Sequence, residues 1–192
     1  AKESAGKAHY GSDDLDELLG CVIGEWPALE YAPRPEAELI HYEPVPARVV
    51  LEMIDLANLN GSHIFYDIGS GLGRVNMLVS MLTDAVSVGV EIDRDLADRA
   101  EHLARAIDLP RRPRYICSDA CSTDTADGTV FFLFTPFVGS TLVSFIEKLL
   151  RENVGALLCS YGDCTAIIGS IPGIKSLDPS RVHPFKLGLF ST

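Results

Sequence analysis

The sequence predicts an α/β fold in which a doubly wound, mostly parallel sheet carries helices on both faces. After residue 61, short β-rich runs alternate with amphipathic helical patterns, which is typical of parallel strands joined by crossover helices. A glycine-rich segment stands between the first of these runs and its helix, at 67–73. The length of 192 residues and the hydrophobic content of 47% fit one substantial core.

The chain is expected to divide into an N-terminal extension over 1–46 and a main domain over 47–192. A short amphipathic helix near the start carries Asp13, Asp14 and Asp16 at its N-terminal end, where acidic residues favour a helix. Prolines at positions 27, 33, 35, 44 and 46 then exclude regular structure over 25–46. This segment is expected either to cross the crevice at the strand ends or to wrap the surface elsewhere.

The main domain is predicted to consist of alternating strands and helices. Strands are predicted over 63–67, 86–91, 114–118, 129–134 and 154–160, with two final strands within 174–192. Helices are predicted over 47–58, 72–83, 94–107, 140–151 and 164–168, and Asp93 and Ser140 are expected to cap two of them. The connection over 119–128 is short for a crossover helix, so it is expected to hold a helical turn at most.

Charge and composition narrow the classes of partner. A net charge of -11 argues against a nucleic-acid partner and favours a basic protein or a small molecule. The five cysteines form no pair of Cys-x-x-Cys motifs, so reduced thiols and no metal site are expected. The uncharged run 128–146 is interrupted by Pro136 and Gly139, which argues against a membrane span. A cytoplasmic location is the default expectation, and the oligomeric state is left open.

The segment 67–73 reads Asp-Ile-Gly-Ser-Gly-Leu-Gly and joins a predicted strand to a predicted helix. Glycines there allow a tight turn and a close approach to a ligand, while the helix start offers free N–H groups. Glu91 ends the next strand, where it can accept hydrogen bonds from ribose hydroxyls, and Asp119 follows the third strand, where it can meet an adenine amine. Together these acids predict an adenine nucleoside site.

Two details separate a cationic cofactor from a dinucleotide. The dinucleotide loop needs Gly-x-Gly-x-x-Gly, but Arg74 stands where its third glycine is expected. Asp67 would repel a pyrophosphate and would attract the sulfonium and ammonium of S-adenosylmethionine. The sequence therefore favours S-adenosylmethionine, with a nicotinamide-dependent oxidoreductase as the alternative.

The motifs at 67–73, at 89–92 (Gly-Val-Glu-Ile) and at 118–120 (Ser-Asp-Ala) resemble the first three motifs of class I methyltransferases. With Tyr-Glu-Pro-Val-Pro at 42–46, the chain further resembles non-SET histone-lysine methyltransferases and small mitochondrial-type protein-lysine methyltransferases. The resemblance implies a seven-stranded sheet and S-adenosylhomocysteine as product. The residues assigned to the cofactor are Tyr42, Asp67, Gly69, Ser70, Gly71, Gly73, Glu91, Ile92, Asp119, Ala120 and Phe134.

The chain departs from amino-group methyltransferases after the fourth strand. Those enzymes often carry Asn or Asp followed by Pro-Pro-Tyr or Pro-Pro-Phe, whereas this chain has Phe134-Thr135-Pro136-Phe137. Thr135 and the Phe134 carbonyl are expected to accept hydrogen bonds from a substrate amine, with Phe137 as an apolar wall. Thr135 and Phe137 are thus the candidate catalytic residues. The methyl acceptor is a protein or a small molecule, and a non-catalytic cofactor-binding scaffold is a further alternative.

Overall fold

The computed structural model describes residues 14–23 and 43–192. Its helices are α1 (Asp14–Ile23), α2 (Ala47–Leu56), α3 (Arg74–Leu82), α4 (Arg94–Ala106), α5 (Gly139–Glu152) and α6 (Cys164–Ile168). Its strands are β1 (Ile64–Ile68), β2 (Val86–Glu91), β3 (Arg114–Cys117), β4 (Val130–Phe134), β5 (Leu157–Tyr161), β6 (Lys175–Ser176) and β7 (Gly188–Ser191). A 3₁₀ turn, Pro179–Arg181, lies between the last two strands.

The strands form a seven-stranded sheet in the order β3-β2-β1-β4-β5-β7-β6. Strands β1 to β5 run parallel, and β7 runs antiparallel to both of its neighbours. The predicted fold class is therefore confirmed. The chain moves outward from β1 to β3 on one side and from β4 on the other, so the order reverses between β1 and β4. In open α/β sheets, ligands bind at such a reversal, outside the carboxyl ends of the strands.

Both faces of the sheet are buried, as the near-continuous hydrophobic strands require. On β1, Phe65 faces the layer formed by α2, α3 and α4, and Tyr66 belongs to the opposite cluster with α5 and α6. On β4, Phe132 and Phe131 alternate in the same way, and Phe131 stacks on Tyr66 with ring centroids 5.5 Å apart. This packing fixes the sheet edge at which the site residues lie.

The connection between β3 and β4 contains turns and no helix, as its length predicts. Two buried side chains, one within α5 and one just after its last residue, hold this connection in place. Lys148 donates to the Thr125 hydroxyl at 2.8 Å and pairs with Glu152 at 2.9 Å. Asn153 donates to the carbonyls of Thr125 and Gly128 at 2.7 and 3.1 Å. The missing crossover helix is thus replaced by side-chain hydrogen bonds to the loop backbone.

The helix termini partly follow the sequence predictions. Asp93 caps α4 as predicted, since its carboxylate accepts from the Asp95 N–H at 2.9 Å. The Ser140 cap is wrong, because α5 already begins at Gly139 and Val138 occupies the capping position without a side-chain bond. Within 14–23 and 43–192, no helix has both the length and the apolar character that crossing a bilayer requires.

Candidate functional site

The loop between β1 and α3 turns on left-handed glycines. Gly69, Gly71 and Gly73 have φ values of +77°, +53° and +76°, a region that L-residues with a β-carbon adopt only at a cost. The N–H groups of Gly69 and Ser70 both donate to the Val90 carbonyl, at 2.8 and 3.1 Å. The loop therefore folds over the end of β2, and α3 begins only after Gly73, two residues later than predicted.

Asp67 lies in β1 directly beneath this loop, between Gly89 of β2 and Phe132 of β4 in register. Its side chain is 3% exposed, and its Oδ2 has no hydrogen-bond partner among the described residues. Burial, assisted by the negative charge of Glu91, raises the pKa of Asp67 to about 8. An unpartnered buried carboxylate is costly unless a ligand compensates it, so this atom is a candidate binding position.

Glu91 ends β2 and is tied to the same loop. Its Oε2 accepts from the Gly71 N–H at 2.8 Å, and its Oε1 accepts from the Asp93 N–H at 2.9 Å. Burial raises its pKa, and these backbone hydrogen bonds oppose that rise. The carboxylate is therefore held in one orientation and keeps lone pairs for further donors. Next to it, Ile92 is 44% exposed.

Asp119 follows β3 at the same edge, because Glu91 and Cys117 are paired in register. Asp119 is exposed, and its carboxylate accepts from the Cys121 N–H at 2.8 Å. Ala120 is buried in the core behind it. The three predicted acids thus follow the carboxyl ends of three adjacent strands, with exposure increasing from Asp67 to Asp119.

Across the reversal in strand order, the end of β4 bends sharply. Thr135 has φ +41°, a left-handed conformation that is rare for a β-branched residue. Its buried hydroxyl donates to the Tyr161 carbonyl at 3.4 Å and accepts from the Cys164 N–H at 3.3 Å. The bend leaves Phe134 half-buried, with its ring 5.7 Å from that of Tyr161.

Phe137 lies in the core beneath α5. Its ring meets Phe145 edge-on, with centroids 5.7 Å apart, and the residue is 6% exposed. The structure therefore places the Phe137 side chain in the core between the sheet and α5. Tyr42 and the proline-rich segment before it lie outside the described residues.

Comparisons with known proteins identify the fold that carries these residues. Residues 40–110 match the family described as histone methylation protein DOT1. An RNA methyltransferase from Salinibacter ruber, solved with S-adenosyl-L-homocysteine, is 24% identical with a TM-score of 0.61, over 77% of this chain and 91% of that one. The chain has the class I methyltransferase fold. The prediction made from the motifs is confirmed at this level.

The methyltransferase fold recurs in more distant structures. Magnesium protoporphyrin IX methyltransferase from Synechocystis PCC 6803, solved with S-adenosylmethionine, is 14% identical with a TM-score of 0.53, over 75% of this chain and 74% of that one. The [4+2]-cyclase SpnF is 20% identical with a TM-score of 0.52, over 59% of this chain and 43% of that one. No curated protein matches the chain. Since one neighbour is a cyclase, the methyltransferase fold alone does not fix the reaction.

Sequence reasoning missed several residues that shape the glycine loop and the neighbouring strand ends. Tyr115 of β3 donates its hydroxyl to the Gly73 carbonyl at 3.2 Å. A β-carbon at Gly89 would lie 2.7 Å from both the Ser70 hydroxyl and the Tyr115 ring, so β2 needs glycine there. A glycine inside a strand is the one sequence signal for this close approach. Pro136 packs on Gly69, which no local pattern indicates.

An open cleft of about 680 Å³ flanks the loop on the side of α4. It is lined by the apolar side chains of Leu72 and Leu103 and by charged or polar side chains of α4. None of the three acids at the strand ends is among its lining residues. The cleft therefore neighbours the proposed ligand position and does not coincide with it.

Proposed function

We propose that this protein binds S-adenosylmethionine at the carboxyl edge of β1 to β3 and transfers its methyl group to a nucleophile, releasing S-adenosylhomocysteine. The observation that carries the proposal is the buried Asp67 carboxylate, whose Oδ2 lacks a partner among the described residues, beneath the left-handed glycine loop. A cation is the ligand that such a group favours. The match to a histone methylation family supports the same reading.

Each of the acids has a role that its surroundings suit. Asp67 faces the positively charged methionine end of the cofactor. Glu91, already oriented by the N–H groups of Gly71 and Asp93, accepts from the ribose hydroxyls. Asp119 lies near the adenine amine, and the exposed Ile92 offers an apolar surface to the adenine ring. Ser70 and Gly73 shape the loop around the ligand.

The nicotinamide alternative is weaker on structural grounds as well. A pyrophosphate at this loop would meet Asp67, and the energy of like charges is large where water is excluded. Arg74, the cation that directly follows the loop, is ion-paired with Asp16 and is thereby committed to another element. It is therefore not available to neutralise a phosphate at the loop.

Methyl transfer needs alignment and exclusion of water more than it needs a strong base. When bound, the cofactor would supply an electrophilic methyl group to the acceptor lone pair, and the electrons of the carbon–sulfur bond would stay on the sulfur of the S-adenosylhomocysteine released. The residues of this chain bind the two ends of the cofactor and exclude water. Buried Asp67 and the closed glycine loop achieve this at the methionine end.

The proposed acceptor is a lysine amine of a basic protein. The match to the histone methylation family and the net charge of -11 both support such a substrate. Because the Thr135 hydroxyl already has two protein partners, we assign the amine hydrogens to a main-chain carbonyl of the Phe134–Thr135 bend. The acidity of the chain argues against RNA as a substrate.

A screen with radiolabelled S-adenosylmethionine tests this proposal. The protein is incubated with an untreated lysate, and the labelled products are then digested either with nuclease or with protease. We expect label in nuclease-resistant, protease-sensitive material, as methyl-lysine after hydrolysis, and none with Asp67→Ala. Nuclease-sensitive label would replace the protein acceptor with RNA. Cofactor binding without label in either fraction would favour the scaffold alternative.

A further inference from the structure

Asp16 of the N-terminal helix reaches the cofactor domain through a buried ion pair. Its Oδ1 accepts a hydrogen bond from the N–H of Ala47, the first residue of α2, at 2.9 Å. The same oxygen pairs with the guanidinium of Arg74, the first residue of α3. The side chains of Asp16 and Arg74 are only 9% and 6% exposed. One carboxylate oxygen therefore joins the starts of three helices.

Arg74 directly follows the glycine loop, so its pairing with Asp16 affects the loop. Gly73 caps α3 in a left-handed conformation, donates to the Ser70 carbonyl at 2.8 Å and accepts from the Met77 N–H at 3.0 Å. The glycine loop thus passes directly into the residue that Asp16 holds. Where α3 starts determines the direction of the N–H groups in its first turn, and such groups favour a polar or negatively charged part of a ligand.

The positive charge of Arg74 makes its pairing with Asp16 hard to replace. A guanidinium remains protonated at any ordinary pH, and a buried one needs a paired anion. Removing the carboxylate of Asp16 would drive Arg74 towards water. Such a movement would displace the first turn of α3 and, through Gly73, the loop above Asp67. Helix α1 is therefore joined to the starts of α2 and α3 and, through Gly73, to the glycine loop.

We infer that Asp16 is a positioning residue for the cofactor: its pairing with Arg74 sets the glycine loop in its binding conformation, so that docking of α1 and binding of S-adenosylmethionine reinforce each other. This inference rests on the proposed function. It assigns part of the cofactor site to α1, a helix outside the main domain. None of the motifs at 67–73, 89–92 and 118–120 lies in that helix.

The test is calorimetry with S-adenosylmethionine on the full chain. Asp16→Asn should weaken binding about tenfold. The matched control is Glu17→Gln, which neutralises the adjacent, exposed acid of the same helix and should leave affinity unchanged. Melting temperatures of both empty variants separate loss of folding from loss of positioning, because a purely structural role would lower the melting temperature of Asp16→Asn without changing the affinity of the folded protein.

Hydrogen exchange supplies a readout that a purely structural pair would not move. In the wild type, saturating S-adenosylmethionine should slow amide exchange over 14–23, and this effect should disappear in Asp16→Asn. If Asp16→Asn fails to fold, the double variant Asp16→Asn with Arg74→Gln removes both charges of the pair and takes its place. Unchanged affinity and unchanged protection in the folded variant would overturn the inference. A wild type that does not bind the cofactor would instead defeat the proposed function on which it rests.

Discussion

Asp67→Asn is expected to weaken S-adenosylmethionine binding about a hundredfold while making the empty protein more stable. The loss follows because the variant removes a desolvated charge opposite the cationic end of the cofactor, and such pairs are among the strongest single contacts in a binding site. The gain in stability follows because the raised pKa of Asp67, about 8, records the cost of ionising it in the folded chain. Removing that cost should add about 1–3 kcal/mol to the free energy of unfolding at pH 7.

The raised pKa of Asp67 also predicts how stability and cofactor affinity change with pH. The folded pKa of Asp67 lies above its unfolded value of about 3.9, so the folded empty protein binds more protons between about pH 4 and pH 8. Its stability should therefore fall as pH rises through that window. Cofactor affinity should instead rise between about pH 6 and pH 7.5, where an α-amino group is still protonated and Asp67 must lose a proton to face it.

Calorimetry in buffers of different ionisation enthalpy measures the proton released on binding, and urea unfolding measures the stability. Asp84→Asn is the matched control, because Asp84 is an exposed acid at the opposite, amino-terminal edge of β2. It should change neither the affinity nor its pH dependence. Equal binding by Asp67→Asn and the wild type at pH 7 would show that the carboxylate does not contact the cofactor.

Gly69→Ala is expected to destabilise the protein by about 2–5 kcal/mol and to prevent cofactor binding in the fraction that remains folded. Two costs add. A residue with a β-carbon is strained at φ +77°. The new carbon would also lie 2.3 Å from Cβ of Pro136, so either the glycine loop or the bend after β4 must move.

Gly155→Ala separates these two costs. Gly155 has φ +81°, close to that of Gly69, but a β-carbon there meets nothing within 4 Å. Its substitution should therefore cost only the backbone strain, about 1–2 kcal/mol. Urea unfolding of the two variants gives the difference, which is the cost of the clash with Pro136. If both variants lost the same stability, the contact between the two loops would not constrain the site.

The sequence predicted the parts of this molecule that local patterns determine. The alternation of β-rich runs and amphipathic helices predicted the parallel sheet. The predicted glycine loop, Glu91 and Asp119 all lie at one edge of that sheet. Even the missing helix between β3 and β4 followed from the length of its loop. The predicted first residues of two helices were wrong. The left-handed Gly73 makes α3 begin two residues later than predicted, and Ser140 does not cap α5.

Contacts between distant segments were not predictable from the sequence. The pairing of Asp16 with Arg74 and the packing of Pro136 on Gly69 depend on how elements meet in three dimensions. Thr135 is a similar case, since nothing in Phe134-Thr135-Pro136-Phe137 shows that its hydroxyl bonds to the β5 end. Arg74 did carry a signal, because it interrupted the dinucleotide pattern, but its partner lies 58 residues away in the chain.

The proposal that this fold holds a cationic nucleoside cofactor is tested most directly by titrating the wild-type protein with S-adenosylmethionine and, in parallel, with NADH. Calorimetry should show saturable binding of S-adenosylmethionine at one site, with protons released at pH 7, and no binding of NADH at the same concentrations. Saturable NADH binding in the absence of S-adenosylmethionine binding would contradict the account and restore the oxidoreductase alternative.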